Sequence, residues 1–153
     1  MTPEIYNDKR FGINQNHISK NALNIISKLH KSGFEAYIVG GGIRDMIKGL
    51  KPKDFDIVTN CEPEEIRKIF RNSRIIGRRF KLVHIAFVDE IIEATTFRAG
   101  GTNTTESIEI NEKGRIVRDN NWGTQEEDVL RRDLTINSIY YDCLLYTSDA
   151  ADD

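Results

Sequence analysis

An apolar run that ends in three glycines constrains most strongly what this chain can fold into. The run Tyr37-Ile-Val leads into Gly40-Gly-Gly, and Ile43-Arg44-Asp45 then begins what we predict to be a short helix. Glycines between a strand and a helix let the backbone approach a phosphate closely, with amide N–H groups at the helix start as donors. We therefore predict a phosphate-binding turn in a chain that mixes strands and helices.

Two aspartates follow the glycines, in the segment Asp54-Phe-Asp-Ile-Val58. Alternate residues of a strand point to the same face, so Asp54 and Asp56 are expected to project together while Phe55 and Ile57 project the other way. Two adjacent carboxylates repel each other, and a divalent cation is the usual reason to hold them together. Mg²⁺ typically binds one or two carboxylates together with substrate phosphates. The pair therefore predicts a metal site beside a nucleotide phosphate site.

Size and composition narrow the class of protein. With 153 residues, of which 30% are charged and 39% apolar, the chain is expected to form one soluble domain. It contains no apolar run near the roughly 20 residues that cross a membrane. Cys61 and Cys143 show no metal-binding spacing, which favours a reducing, cytoplasmic setting. The net charge of −2 argues against tight nucleic-acid binding by this domain alone.

Helical periodicity predicts a helix near the start of the chain. Apolar side chains recur at helical spacing between Asn16 and Lys31, and Gly33 is a typical C-terminal stop. A second helix is expected to begin at Pro63 and to run to about Phe70. Strands are predicted over residues 34–39, 54–58, 74–76, 81–88 and 91–98, with a tight turn at 89–90.

The later part of the chain carries fewer apolar signals. Residues 99–121 are rich in Gly, Thr, Asn and charge, and we expect a flexible loop with a small hairpin around Gly114. Thr124 and Glu127 have the spacing of a capping box, which predicts a helix start. Residues 134–141 are expected to continue as a second helical segment.

Two polar residues within predicted strands have open interpretations. Glu93 shares its face with Ile91 and Thr95, so its carboxylate is either turned toward a site or paired. We expect His84 to be a core or half-buried residue rather than a catalytic one, because it lies on the face of Leu82.

A second charged cluster, Arg131-Arg132-Asp133, follows the capping box. Glu127 with Arg131, and Asp128 with Arg132, have the spacing of simple i,i+4 ion pairs on a helix. Arginine also suits the bidentate binding of phosphates. In a chain that carries a phosphate-binding turn and an acidic pair, we favour the second interpretation.

Three motifs occur in this order: Gly40-Gly-Gly-Ile-Arg-Asp45, Lys53-Asp-Phe-Asp-Ile57 and Arg131-Arg-Asp-Leu-Thr-Ile-Asn137. Together they resemble the signatures of class II nucleotidyltransferases, the family of tRNA CCA-adding enzymes and bacterial poly(A) polymerases. The resemblance runs from about Ile18 to Asp142. Three more segments resemble the poly(A) polymerase branch: Ile76-Gly-Arg-Arg-Phe-Lys-Leu82, Ile92-Glu-Ala-Thr-Thr-Phe-Arg98 and Arg118-Asp-Asn-Asn-Trp-Gly123.

This resemblance implies an α+β fold, a polymerase-β-like head with a mixed, mostly antiparallel sheet flanked by helices. It implies that Asp54 and Asp56 hold two Mg²⁺ ions. One ion would activate the 3′-hydroxyl of an RNA end, and the other would steady the triphosphate and the leaving pyrophosphate. Asp133 matches a third aspartate required in the poly(A) polymerase branch. Whether Asp133 or Glu93 lies nearer the metals stays open at this point.

The resemblance also implies which residues bind the nucleotide. Gly41 and Arg44 match positions that contact the incoming nucleotide, and Arg132 would contact its sugar or phosphate. The full set expected to bind the nucleotide is Gly40, Gly41, Arg44, Asp45, Arg131 and Arg132.

The function that the resemblance implies is template-independent transfer of AMP from ATP to RNA 3′ ends. Addition of CCA to tRNA is the runner-up, and a catalytically incompetent nucleotide-binding fragment is a third alternative. We expect the head domain to span residues 16–142, after a flexible lead-in over 1–15. Residues 143–153 stop matching the family and are expected to be a truncation artefact, so that the family's neck and body domains would be missing.

Overall fold

A five-stranded mixed sheet organises the fold. The computed structural model describes residues 13, 15–99, 108–110, 116–119, 122–130 and 139–143. The strands are β1 (Ala36–Val39), β2 (Asp56–Thr59), β3 (Ser73–Ile76), β4 (Leu82–Ala86) and β5 (Ile91–Thr96), in the spatial order β1-β2-β5-β4-β3. β2 and β5 run parallel, and the other neighbouring pairs run antiparallel. The mixed, mostly antiparallel α+β sheet is therefore confirmed.

Four short helices and a hairpin complete the described elements. They are α1 (Lys20–Lys31), α2 (Gly41–Ile47), α3 (Pro63–Ile69) and α4 (Gln125–Leu130), with one 3-10 turn at Gln15–His17 and the antiparallel strands β6 (Ile108–Ile110) and β7 (Ile116–Asp119). The hairpin predicted around Gly114 is confirmed. No helix within the described ranges is long and apolar enough to cross a membrane.

Local capping sets where the helices begin and end. α1 begins at Lys20 rather than at the predicted Asn16, because the Ser19 hydroxyl accepts a hydrogen bond from the Ala22 N–H at 3.0 Å. Gly33, with φ of +91°, follows this helix as predicted. The capping box before α4 is confirmed by its reciprocal bonds. The Thr124 N–H donates to Glu127 at 3.1 Å, and the Glu127 N–H donates to the Thr124 hydroxyl at 3.3 Å.

The two faces of the sheet have different environments. One face packs against α1 and α3 and forms the main core, which includes Ile25, Leu29, Ile38, Ile57, Ile66, Val83, Ile85, Ile92 and Ala94. The other face carries a smaller cluster of Val39, Val58 and Phe97, against which Tyr37 and Tyr140 pack. Burial, together with the charges of nearby carboxylates, raises the pKa of Tyr37 to about 12. The second face thus carries a smaller apolar cluster than the first.

One predicted helix is wrong at its C-terminal end. Tyr141 forms an antiparallel bridge with Ile38, whose N–H donates to the Tyr141 carbonyl at 3.0 Å, and the Tyr141 N–H donates back at 2.9 Å. Tyr141 thus extends the sheet at the free edge of β1, and residues 139–141 are not helical. Residues 134–138 of that prediction lie outside the described residues.

Parts of both predicted terminal segments pack against the domain. Ile13 is buried in the main core, and Cys143 is buried as well. The Gln15 side-chain amide donates to the Cys143 carbonyl at 3.0 Å, which links the two segments. The domain boundaries themselves stay a prediction.

Candidate active site

A single polar cleft gathers much of the predicted site. It has a volume of about 540 Å³ and lies where the chain passes from α2 into β2. It brings together both predicted metal-binding aspartates and three residues of the predicted nucleotide set. The residues that line it are Gly41, Gly42, Arg44, Asp45, Leu50, Lys51, Lys53, Asp54 and Asp56.

The two aspartates reach this cleft from different backbone settings. Asp56 is the first residue of β2, whereas Asp54 precedes the strand. The strand starts two residues later than predicted because its partner β1 ends at Val39, which pairs with Asp56. Phe55 and Ile57 are buried, so they anchor the segment in the core while both aspartates line the cleft. The prediction that the carboxylates share one side is confirmed.

Two of the glycines are needed because α2 packs closely against this acidic segment. Gly40 has φ of +80°, and a Cβ atom added to it would lie 3.0 Å from Oδ2 of Asp56. A Cβ atom on Gly42 would lie 3.0 Å from the main-chain oxygen of Asp54. The sequence pattern predicted only a phosphate-binding role for the glycine run. The structure adds a steric role, since side chains here would push the aspartates away from α2.

The cleft is lined by both basic and acidic groups. The Arg44 guanidinium lies over Gly41, since its Nη2 would be 3.3 Å from a Cβ atom added there. Its Nε lies 4.0 Å from Oδ1 of Asp45, a loose and half-exposed ion pair of the kind that contributes little to stability. Lys51 and Lys53 add two further positive charges to the lining. The cleft can therefore accept a group that is both phosphate-rich and metal-bound.

Glu93 lies beside the aspartates. The parallel register of β2 and β5 pairs Asp56 with Glu93, and the antiparallel register of β4 and β5 pairs Glu93 with His84. Nε2 of His84 lies 3.8 Å from Oε2 of Glu93, and both side chains are partly exposed. Neighbouring strands are about 4.8 Å apart, so Glu93 is next to Asp56 on the open face. His84 is half-buried, as predicted.

The acidic residues fit Mg²⁺ as a pair. Among the described residues, no three His, Cys, Asp or Glu side chains converge closely enough to hold a metal ion. Mg²⁺ does not need such a cage, because it usually keeps waters and takes only one or two carboxylates plus substrate phosphates. Asp54 and Asp56 in an open, polar cleft satisfy that requirement.

The Arg131-Arg132-Asp133 cluster lies outside the described residues, immediately after α4. The position of α4 itself is set by Asp128, a fully buried carboxylate. Asp128 accepts a hydrogen bond from the Arg98 N–H at 3.0 Å and one from the Tyr140 hydroxyl at 2.5 Å. α4 is thereby attached to the end of β5. The sequence pattern treated Asp128 only as an ion-pair candidate and gave no sign of this buried role.

The sequence profile of the family described as the poly A polymerase head domain matches residues 36–152 of this chain. The chain belongs to this family. It is 52% identical over 136 residues to poly(A) polymerase I of Haemophilus influenzae and covers 30% of that protein. With poly(A) polymerase I of Salmonella typhi it shares 47% identity over 142 residues, again 30% of the relative. These matches cover 86% and 91% of the present chain, respectively.

Solved structures agree on the fold of this poly(A) polymerase head. The chain superposes on the Bacillus stearothermophilus CCA-adding enzyme, solved in complex with CTP, with a TM-score of 0.59 and 33% identity. That superposition covers 79% of this chain and 27% of the CCA-adding enzyme. The chain thus spans about a third of the length of the proteins that it matches.

Proposed function

We propose that this poly(A) polymerase head transfers AMP from ATP to the 3′-hydroxyl of RNA, as part of a longer enzyme. The observation that carries the proposal is the cleft in which Asp54 and Asp56 lie together with Gly41 and Arg44. Carboxylates, a cation and close backbone access are the groups that a metal-bound triphosphate requires. Cys61 and Cys143 form no disulfide bond, which suits the reducing cytoplasm, where we place the reaction.

Asp54 and Asp56 are the proposed ligands of Mg²⁺. When bound, the metal supplies charge neutralisation at the triphosphate and lowers the pKa of the attacking hydroxyl. The two carboxylates would hold this charge in the lining of the cleft, where the burial of Phe55 and Ile57 anchors the segment. The segment therefore works as a rigid support rather than as a mobile loop.

We propose Glu93 as the third carboxylate of the site. Its register position beside Asp56, on the open face of the sheet, supports this role. Asp133 stays a proposed catalytic residue on the resemblance alone.

The nucleotide is proposed to lie along the rim of the cleft. The backbone at Gly40 and Gly41 would face its phosphates, and Arg44 would pair with them, with Asp45 beside it on the same lining of the cleft. Arg131 and Arg132 are proposed to contact the sugar and phosphates from beyond the end of α4.

The test is incorporation of nucleotides onto an RNA primer with a free 3′-hydroxyl, in the presence of Mg²⁺. The chain should be fused to the neck and body of a related poly(A) polymerase I, and ATP and CTP supplied separately. Long tails from ATP alone are expected. Asp56→Ala should abolish them, while the control Asp89→Ala, which alters an exposed carboxylate at the β4–β5 turn, should not. An Asp56→Ala fusion that still extends RNA would contradict the proposed role.

Addition of CCA to tRNA is the second candidate. It is favoured by the 33% identity to the CCA-adding enzyme solved with CTP, and disfavoured by the 47–52% identity to poly(A) polymerase I proteins. Short addition from CTP and ATP together would establish it in place of polyadenylation. A folded fusion that incorporates neither nucleotide would leave a nucleotide-binding module without catalysis.

A further inference from the structure

The segment that contains β3, β4 and the turn between them is the most basic part of the described chain. Residues 71–88 contain five basic side chains, Arg71, Arg74, Arg78, Arg79 and Lys81, and no acidic one. The whole chain, by contrast, has a net charge of −2. Positive charge is therefore concentrated in one region of an otherwise slightly acidic domain.

The turn is held in one tight conformation. Gly77 has φ of +98°, and a Cβ atom added to it would lie only 1.9 Å from the main-chain oxygen of Phe80. The backbone thus closes on itself at a distance that only glycine allows. The basic side chains that follow Gly77 are presented by a fixed loop.

Two guanidinium groups meet at the ring of Phe80. Cζ of Arg98 lies 3.7 Å from the ring centroid, and Cζ of Arg79 lies 5.1 Å from it. The electron-rich face of an aromatic ring attracts such cations. The ring therefore attracts two like charges that would otherwise repel each other. Because Arg98 lies two residues after the end of β5, this attraction also holds the turn against the end of that strand.

The charge of the turn is only partly neutralised by described residues. Lys81 pairs with Glu64 at 3.3 Å. Arg78 and Arg79 are exposed, and neither forms an ion pair with a described residue. An approaching anion would thus meet two arginines that face solvent.

The position of the turn relates it to the cleft. His84 of β4 is paired with Glu93 of β5, and Glu93 is paired in turn with Asp56 of β2. Phe80 precedes His84 by four residues. At about 3.3 Å per residue and 4.8 Å between strands, Leu82, where β4 begins, lies roughly 12 Å from Asp56, and the turn precedes it. This separation exceeds the reach of the reacting phosphates and suits a chain of a few nucleotides that ends at the aspartates.

We propose that the basic turn, defined as Gly77–Lys81 together with Arg98, binds the phosphodiester backbone of RNA a few nucleotides before its 3′ end. Arg78 and Arg79 contact the phosphates, and Phe80 holds Arg79 and Arg98 in place. The inference rests on the proposed function, because it places an RNA end at the aspartates. It assigns part of the RNA path to the head itself, in spite of the head's negative net charge.

The test compares two double variants of the 153-residue chain that remove the same charge. Arg78→Gln with Arg79→Gln alters the basic turn, and Lys20→Gln with Lys31→Gln alters two exposed lysines of α1 as the control. Binding of a fluorescent oligoadenylate of about 15 nucleotides, near the upper limit of single-strand site sizes, is followed by anisotropy over a series of salt concentrations. Circular dichroism checks that each variant is folded.

The turn variant should bind RNA about tenfold more weakly at low salt. The negative slope of log K against log salt should become shallower by about 1.4, or about 0.7 for each lost phosphate contact. The control should retain the affinity and slope of the parent. Equal losses in both variants would overturn the proposal, because they would indicate general charge attraction. Arg78→Gln alone leaves the contacts of Phe80 intact. It should show about half of the slope change of the double variant.

A separate measurement distinguishes failure of this proposal from failure of the proposed function. The parent chain is titrated with ATP and Mg²⁺ under the same conditions. A chain that binds ATP with Mg²⁺ but not RNA overturns the basic-turn proposal and leaves the cleft intact. A folded chain that binds RNA through the turn, but no ATP, supports the turn and contradicts the nucleotide site.

Discussion

Substitution of Gly40 by alanine offers the sharpest test of how the acidic pair is held. Gly40 has φ of +80° and ψ of −150°, a backbone region that is essentially restricted to glycine. The added Cβ atom would also lie 3.0 Å from Oδ2 of Asp56, closer than ordinary van der Waals contact. The substitution therefore strains the backbone and pushes a proposed metal ligand at the same time.

The two effects have different magnitudes. Backbone strain of this kind costs about 1–3 kcal/mol, which lowers the melting temperature by about 2–4 °C for each kcal/mol in a domain of this size. Displacement of the Asp56 carboxylate adds a loss specific to the site. We expect the affinity for ATP with Mg²⁺ to fall at least tenfold, or about 1.4 kcal/mol, and RNA extension by the fusion to fall with it.

Gly33→Ala is the matched control. Gly33 has φ of +91°, so alanine is strained there too, but nothing lies within 4 Å of the added Cβ atom. It should destabilise the domain by about 1–2 kcal/mol and leave the affinity for ATP with Mg²⁺ unchanged. Thermal melts and calorimetric titrations of both variants make the comparison. If both lose nucleotide affinity equally, general destabilisation explains the effect and our account of Gly40 is refuted.

Three further outcomes are expected. Gly77→Ala should unfold the β3–β4 turn or lower the unfolding free energy by at least about 3 kcal/mol, since its Cβ atom would lie 1.9 Å from the Phe80 oxygen; urea titration measures this. Burial raises the pKa of the Cys61 and Cys143 thiols from 9.0 to about 12. Both should therefore resist iodoacetamide in the folded chain, and stability should fall as pH rises from about 9 to 12, because only the unfolded thiols then lose their protons; mass spectrometry and melts across this range test it. Asp128→Ala should lower the unfolding free energy by about 1.5–3 kcal/mol for each of the two hydrogen bonds to this carboxylate that it removes, as measured by urea titration, and a near-neutral result would contradict the stabilising role of Asp128.

Features that depend on neighbouring residues were predictable from the sequence. Gly33 marks the end of α1, and Thr124 with Glu127 marks the start of α4, because each signal acts within a few residues. The spacing of Asp54 and Asp56 likewise predicted that both carboxylates share one side of the chain, and both line the cleft.

Features that depend on distant partners were not predictable in this way. The apolar pattern before Tyr141 suggested a helix, yet Tyr141 pairs with Ile38 at the edge of β1. A free strand edge offers unpaired backbone donors and acceptors, and these compete with local helical bonding. The steric role of Gly40 is of the same kind, since it depends on how closely Asp56 approaches and not on the glycine run itself.

The choice between Glu93 and Asp133 shows where local patterns stop being informative. The alternation around Glu93 fixes its face on a strand, but it does not say which strand lies alongside. The sheet order supplies that information: Asp56 lies between Val39 of β1 and Glu93 of β5. Because β2 and β5 run parallel and adjacent, the carboxylate of Glu93, 37 residues after Asp56 in the chain, becomes the neighbour of the proposed metal ligands. A neighbour that is brought in by sheet topology can be identified only once the strand register is known, and this register is what supports the proposal for Glu93.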